Sequence, residues 1–97
     1  MAKKLKYYSV FTEDMEHCIE CGRQPVQYHH VFGGYAGNRD HATEDGLVIP
    51  LCLDHHINIH NDPNKRLERK WRQLAQVIFE ETHTREEFRA RYGRSYL

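Results

Sequence analysis

The sequence has few cysteines and no long apolar segment. Its three cysteines are an odd number for a disulfide scaffold, and two of them form Cys18-x-x-Cys21, a spacing that suits thiolate coordination of a metal better than oxidation. No apolar leader, cleavage site or run of about 18 apolar residues is present. These absences argue against an exported or membrane protein. We therefore expect a protein of a reducing compartment, the cytoplasm, without a membrane partner.

The sequence also lacks net charge. Its 14 basic and 14 acidic side chains cancel, so the composition does not by itself indicate a nucleic-acid binder. Basic residues are nevertheless concentrated in one short segment, at Lys65, Arg66, Arg69, Lys70 and Arg72. No repeat or linker divides the 97 residues, so we expect a single domain over 1–97. Such a small domain has little core to spare and would gain from a structural metal.

The pattern of residues predicts strands followed by helices. Residues 26–32 and 48–51 are typical of strands, residues 33–46 of a loop between them, and residues 7–11 of a short further strand. Asp62 and Pro63 have the pattern of a helix start, and the apolar positions that follow at helical spacing are Leu67, Trp71, Leu74 and Ile78. Thr84 and Glu87 predict a capping box for a final helix that ends at Gly93. We therefore expect an α+β fold, with a core at 18–60 and a helical part at 63–93, in which Trp71 packs in the core.

The first group of candidate ligands predicts structural zinc. Cys18, Cys21, Cys52 and His55 form a C-x-x-C pair and a C-x-x-H pair, which together offer the four soft or borderline ligands of a closed tetrahedral site. Such ligands become ordered when the metal binds, so the ion would serve folding. The alternative is a reduced, buried Cys52 beside an unrelated knuckle.

The second group consists of histidines. His56 and His60 are one helical turn apart, whereas His29 and His30 are neighbours in a predicted strand and must point to opposite faces. One of His29 and His30 can therefore join His56 and His60 in a three-histidine site with open positions, and the other can act as a base. We expect structural roles for His17, His41 and His83.

These residues resemble the HNH endonucleases. The likeness covers residues 18–60, and is closest to the zinc-containing members in which a treble-clef-like knuckle supports a ββα-metal (His-Me finger) fold. The His29-His30 pair with His56-x-x-x-His60 is similar to the DNase colicins. Gly33-Gly34 together with the segment 47–56 is similar to phage recombination-enhancement nucleases, which suggests a phage or prophage origin.

The resemblance implies a role for each matched residue. His30 would be the general base, His29, His56 and His60 would hold a catalytic Mg²⁺, Mn²⁺ or other divalent ion, and the Cys18, Cys21, Cys52 and His55 set would hold Zn²⁺. Leu47 stands where many members carry the middle asparagine of the motif. We expect Asp45, or failing that Asn38, to support the site instead.

The implied activity is hydrolysis of DNA with low sequence specificity, which leaves a 5′-phosphate. Arg39, Lys65, Arg66 and Arg69 would contact DNA phosphates. Two alternatives stay open: a zinc-stabilised nucleic-acid-binding module that does not cut, and a hydrolase of small phosphoesters. A recombination or packaging protein could be a partner in the bacterial host cell, and the active form could be a homodimer.

Overall fold

The computed structural model describes residues 7–33 and 37–97, which form a two-stranded sheet and four helices. The elements in chain order are β1 (Gln27–His30), α1 (Asn38–Asp45), β2 (Val48–Leu51), α2 (Leu53–Asn61), α3 (Arg66–Phe79) and α4 (Arg85–Tyr92). The prediction of a small α+β domain is therefore confirmed. Gly34 of the sequence pattern lies outside the described residues.

The two strands form an antiparallel hairpin that carries the paired histidines. His29 lies opposite Ile49, and His30 lies opposite Val48. Every residue of β2 is buried, as its apolar sequence Val-Ile-Pro-Leu requires. Pro50 has no N–H group, but its carbonyl oxygen accepts a hydrogen bond of 2.9 Å from the backbone N–H of Ile19, which ties the cysteine knuckle to the hairpin.

Helices cover the hairpin and complete one apolar core. Fully buried side chains come from Ile59 of α2, from Phe88 and Tyr92 of α4, and from β2. In α3, every fourth residue faces this core, namely Leu67, Trp71, Ala75 and Phe79. Burying one large apolar side chain contributes roughly 1.5–3 kcal/mol, so this stripe fixes α3 on the core. The prediction that Trp71 packs in the core is confirmed, since only 6% of it is exposed.

The predicted structures of residues 33–46 and 7–11 were wrong. The predicted loop 33–46 contains α1, whose only buried residues are Asn38 and Ala42, so its sequence carries no apolar stripe that would indicate a helix. Residues 7–11 do not form a strand. They are held to the end of α1 by the hydrogen bond of 2.9 Å from the N–H of Val10 to the carbonyl of Gly46.

The start of α3 also differs from the prediction. Asp62 follows the end of α2, and its carboxylate accepts the N–H groups of Asn64 and Arg66 at 3.0 and 3.1 Å, so α3 begins at Arg66 rather than at Pro63. Leu74, expected on the apolar stripe, is 40% exposed. The stripe repeats every four residues from Leu67, and Leu74 is not one of these positions. The capping box of α4 and its end at Gly93 are confirmed.

No helix in residues 7–33 and 37–97 has the length and apolarity needed to cross a membrane.

Candidate functional site

The cysteine knuckle is a tight turn closed by backbone hydrogen bonds. The N–H of Gly22 donates to the carbonyl of Cys18 at 2.8 Å, and the N–H of Cys18 donates to the carbonyl of Arg23 at 2.9 Å. Gly22 adopts a φ of 77°, a left-handed conformation that glycine reaches without a steric penalty. The turn therefore holds the side chains of Cys18 and Cys21 on one side.

The knuckle faces the N-terminus of α2, where the other two ligands of the first group lie. The Sγ atoms of Cys21 and Cys52 are 3.7 Å apart, Cys18 Sγ is 3.6 Å from His55 Nδ1, and Cys52 Sγ is 3.3 Å from the same nitrogen. Two thiolates on a tetrahedral zinc lie about 3.7–3.8 Å apart when each Zn–S bond is about 2.3 Å. All four ligand atoms lie within 4.8 Å of one another. This Cys3His cluster therefore fits a metal such as zinc.

The environment of Cys18 favours the thiolate that a metal needs. Burial acts to raise the pKa of the thiol, but hydrogen bonds from backbone N–H groups, those of Cys52 and Glu20 first, outweigh it and lower the pKa to about 6. Metal-binding cysteines coordinate as thiolates. The knuckle thus stabilises the charged form of its most buried ligand.

The second group brings together His29 of β1 and His56 and His60 of α2. One nitrogen of each lies within 4.8 Å of the others. The spacing predicted that one of His29 and His30 would join His56 and His60, and the resemblance implied that it would be His29. Gln27, two residues before His29 and on the same face of β1, accepts the Nδ1–H of His56 through its Oε1 at 2.5 Å. This hydrogen bond fixes the ring and directs Nε2 toward the cluster, an arrangement typical of metal-binding histidines.

His29 is kept neutral. Only 8% of it is exposed, and burial, followed by the charges of His60 and His56, lowers its pKa from 6.5 to about 3. Burial also lowers the pKa of His56, with a further effect of His60. A neutral imidazole is the form that binds metal ions, so burial keeps His29 in the form that a metal needs.

His30 lies on the opposite face of β1, where it contacts α1. Its Nε2 is 2.9 Å from Thr43 Oγ1, and the Thr43 hydroxyl donates to the carbonyl of Arg39 at 3.0 Å. Because the hydroxyl hydrogen is used on Arg39, Thr43 Oγ1 is the acceptor and His30 Nε2 carries the proton. His30 Nδ1 is therefore the basic nitrogen of the ring. The ring also packs edge-on against Tyr7 at 5.0 Å between centroids.

A cavity of about 360 Å³ lies at the end of β1, where both His29 and His30 line it. It is lined by Tyr28, His29, His30, Gly33, Arg39, His56 and His60. The predicted base, the predicted ligands and the predicted phosphate contact Arg39 thus lie around the same space. A larger cavity of about 600 Å³ lies between α1 and α4, but it contains neither histidine cluster nor cysteine.

The structure does not bring Asp45 or Asn38 to His30. Asp45 accepts hydrogen bonds from Arg91 Nε at 2.7 Å and from the Tyr92 hydroxyl at 2.5 Å, and Asn38 donates to the carbonyl of Tyr92 at 3.4 Å. Both therefore join α1 to α4, and neither lines the cavity that contains His30. Leu47, at the position of the motif asparagine, is buried in the core at 1% exposure.

Two residues of the site were missed by the sequence reasoning. Thr43, which orients His30, lies in the helix that the pattern did not reveal, so nothing local pointed to it. Gln27 could have been found, because strand alternation puts it on the face of His29.

The remaining histidines make hydrogen bonds outside the histidine cluster, and the basic segment adjoins the site. His17, His41 and His83 bond to Asp14, to the Arg91 carbonyl and to the Phe79 carbonyl respectively, in keeping with the structural roles expected of them. Lys65, Arg66 and Arg69 are exposed at the start of α3. Lys65 Nζ donates to the carbonyl of His60 at 3.1 Å, which places the basic segment next to the histidine cluster.

Comparison with known proteins gives a family without a described activity. The family model described as "Protein of unknown function (DUF968)" matches residues 2–85. The chain is also 32% identical over 62 residues to the "Uncharacterized protein YdfU" of Escherichia coli (strain K12), an alignment that covers 64% of this chain and 18% of that protein. The chain thus spans less than a fifth of the length of this relative. No solved structure matches the chain significantly.

Proposed function

We propose that this chain, which belongs to the DUF968 family, is a metal-dependent DNA endonuclease with the ββα-metal fold of the HNH enzymes. The observation that carries the proposal is the cavity in which His30 meets the cluster of His29, His56 and His60. The base His30 and the ligand His29 come from opposite faces of β1, and His56 and His60 come from α2. Phosphodiester hydrolysis needs this pairing of groups.

Each metal would have a separate task. Zinc on the Cys3His cluster would hold the knuckle against the N-terminus of α2, and His29, His56 and His60 would hold a divalent ion beside the cavity. When bound there, that ion supplies electrostatic stabilisation of the phosphate and of the oxygen that leaves. Gln27 supports this assignment, because it fixes His56 with Nε2 available for the ion.

His30 would act on the attacking water. Thr43 holds the Nε2–H, so Nδ1 accepts one proton from water while the water oxygen forms a bond to phosphorus. The bond from phosphorus to the 3′ oxygen breaks, and that oxygen takes a proton from solvent. The products are a 5′-phosphate and a 3′-hydroxyl, and His30 returns its proton to solvent.

Positive charge around the cavity supports DNA as the substrate rather than a small phosphoester. Arg39 lines the cavity, and Lys65 adjoins His60. Phosphate contacts of this kind position a nucleic-acid backbone without reading its sequence. Low sequence specificity is the expected result.

Plasmid cleavage tests the proposal. Supercoiled plasmid is incubated with the purified protein and Mg²⁺, Mn²⁺ or Ni²⁺, beside an EDTA sample and the variants His30→Ala and His17→Ala. We expect ion-dependent nicking or linearisation by the parent and by His17→Ala, a matched removal of an exposed imidazole, and a loss of roughly 10²–10⁴-fold in His30→Ala.

The metal content and the DNA affinity of His30→Ala serve as controls for the loss of cleavage. His30→Ala should keep the metal content and the DNA affinity of the parent, because His30 is not among the clustered metal ligands. Cleavage by His30→Ala at the parent rate would contradict the assignment of the base. A parent that binds DNA but cuts with none of the ions would instead favour the module that binds without cutting.

A further inference from the structure

A fully buried glutamine fixes the C-terminal segment on α3. Gln76 is 0% exposed; its Oε1 accepts the backbone N–H of Tyr96 at 2.7 Å, and its Nε2 donates to the hydroxyl of Ser95 at 3.0 Å. Gln73 adds a hydrogen bond of 3.0 Å to the carbonyl of Tyr96. A buried amide is costly unless it is fully bonded. These bonds therefore fix Ser95 and Tyr96 in one position.

This position completes a basic cavity on the side of α3. The cavity has a volume of about 250 Å³ and is lined by Lys65, Glu68, Arg69, Arg72, Arg94 and Tyr96. Four cationic side chains against one carboxylate give it a net charge of +3, although the whole chain is neutral. Charge concentrated in a concave surface attracts anions more strongly than the same charges spread over the protein.

The cationic groups divide into a fixed pair and an available pair. Glu68 binds Arg72 Nη2 at 2.7 Å and lies 3.9 Å from Lys65 Nζ, and Arg72 Nε also donates to the carbonyl of Val31 at 3.1 Å. Arg69 and Arg94, by contrast, have no side-chain hydrogen bond or ion pair with any described residue. The guanidinium of Arg94 lies over the ring of Tyr96, 4.9 Å from the ring centre, and this cation–π contact orients the guanidinium. Arg69 and Arg94 are thus presented to a ligand.

The basic cavity adjoins the histidine site. Lys65 binds the carbonyl of His60, one of the clustered histidines, and Arg72 binds the carbonyl of Val31, the residue after His30. The basic cavity therefore lies beside the place where the proposed nuclease would hold the cleaved strand.

We propose that Arg69 and Arg94, with Tyr96 as a support, bind the phosphates of the DNA strand immediately beside the cleaved bond. The inference rests on the proposed nuclease function, which it extends by naming where the substrate strand lies. The ligand is the backbone of DNA, recognised by charge. The partly buried Tyr96 ring packs 5.4 Å from Phe32 and serves the arginines rather than a base.

The salt dependence of DNA binding tests this subsite. Binding of a duplex is measured between 50 and 200 mM salt in the His30→Ala background, so that the DNA stays intact, with and without the pair Arg69→Gln and Arg94→Gln. The slope of log K against log salt is negative, and each lost phosphate contact reduces its magnitude by about 0.9. We therefore expect the magnitude to decrease by about 1.8. The control pair Arg23→Gln and Arg89→Gln removes the same charge from exposed positions outside the cavity, and should leave the slope near that of the parent.

The outcomes separate this inference from the nuclease proposal. An unchanged slope in the Arg69 and Arg94 pair, or an equal decrease in the control pair, overturns the subsite even if the parent cuts DNA. The expected decrease, together with no cleavage by the parent under any ion, supports the subsite and rejects the nuclease. Failure of the parent to bind DNA overturns the subsite as well.

Discussion

Replacing Thr43 with valine should slow cleavage without changing substrate binding. Valine keeps the shape of threonine and a similar helix propensity, but it removes the oxygen that accepts the Nε2–H of His30 at 2.9 Å. A neutral hydrogen bond contributes about 0.5–1.5 kcal/mol net. If all of that energy orients the ring and its tautomer, the productive population falls about 2- to 13-fold, well below the roughly 10²–10⁴-fold loss expected when the base itself is removed.

The assay separates kcat from KM on a duplex oligonucleotide under the preferred ion. We expect a lower kcat with KM, zinc content and melting temperature close to the parent values, because Thr43 contacts neither candidate ligand cluster. Thr43→Ser keeps the hydroxyl and should restore most of the rate. A kcat equal to that of the parent in Thr43→Val, or a serine variant as slow as the valine variant, would refute the positioning role.

Two further predictions concern the metal ligands. Cys52→Ser should lose one zinc per chain and its cooperative thermal unfolding; unchanged zinc by elemental analysis together with a normal melt would contradict the structural site. In protein that carries one zinc per chain and no second ion, the lowered pKa of His29, about 3 against 6.5, means that the unfolded state binds a proton that the native state does not. Stability should therefore decrease as the pH falls below about 6.5. The urea midpoint should decrease from pH 7 to pH 5, and it should decrease by less in His29→Gln. Equal decreases in both proteins would show that His29 is not the source of the pH dependence.

The parts of the site that the sequence predicted are those set by local spacing. The C-x-x-C and C-x-x-H pairs each place two ligands within one turn, so only the meeting of the pairs had to come from the fold. The division of labour between His29 and His30 follows from strand alternation. The hairpin prediction also depended on a local feature, the continuous apolar sequence of β2.

The parts that could not be predicted depend on distant contacts. Helix α1 has no apolar stripe, and residues far along the chain hold it: the Tyr8 hydroxyl donates to the carbonyl of Glu44 at 2.6 Å, and Arg91 binds Asp45. Gly46 ends the helix with a φ of 71° and packs against the ring of Tyr8 so closely that a Cβ would lie 2.4 Å from a ring atom. Because α1 was not predicted, the contact of Thr43 with His30 and the contacts of Asp45 with Arg91 and Tyr92 could not be predicted either.

Helix α2 gives the two proposed metals unequal importance. Cys52 and His55 at its start belong to the Cys3His cluster, whereas His56 and His60 belong to the open cluster. Loss of zinc would release the start of α2 from the knuckle and so displace both histidines from His29. Loss of the second ion would leave α2 held by zinc and by the buried Ile59. The open site therefore depends on the closed one, and not the reverse, which allows the proposed catalytic ion to exchange while the fold persists.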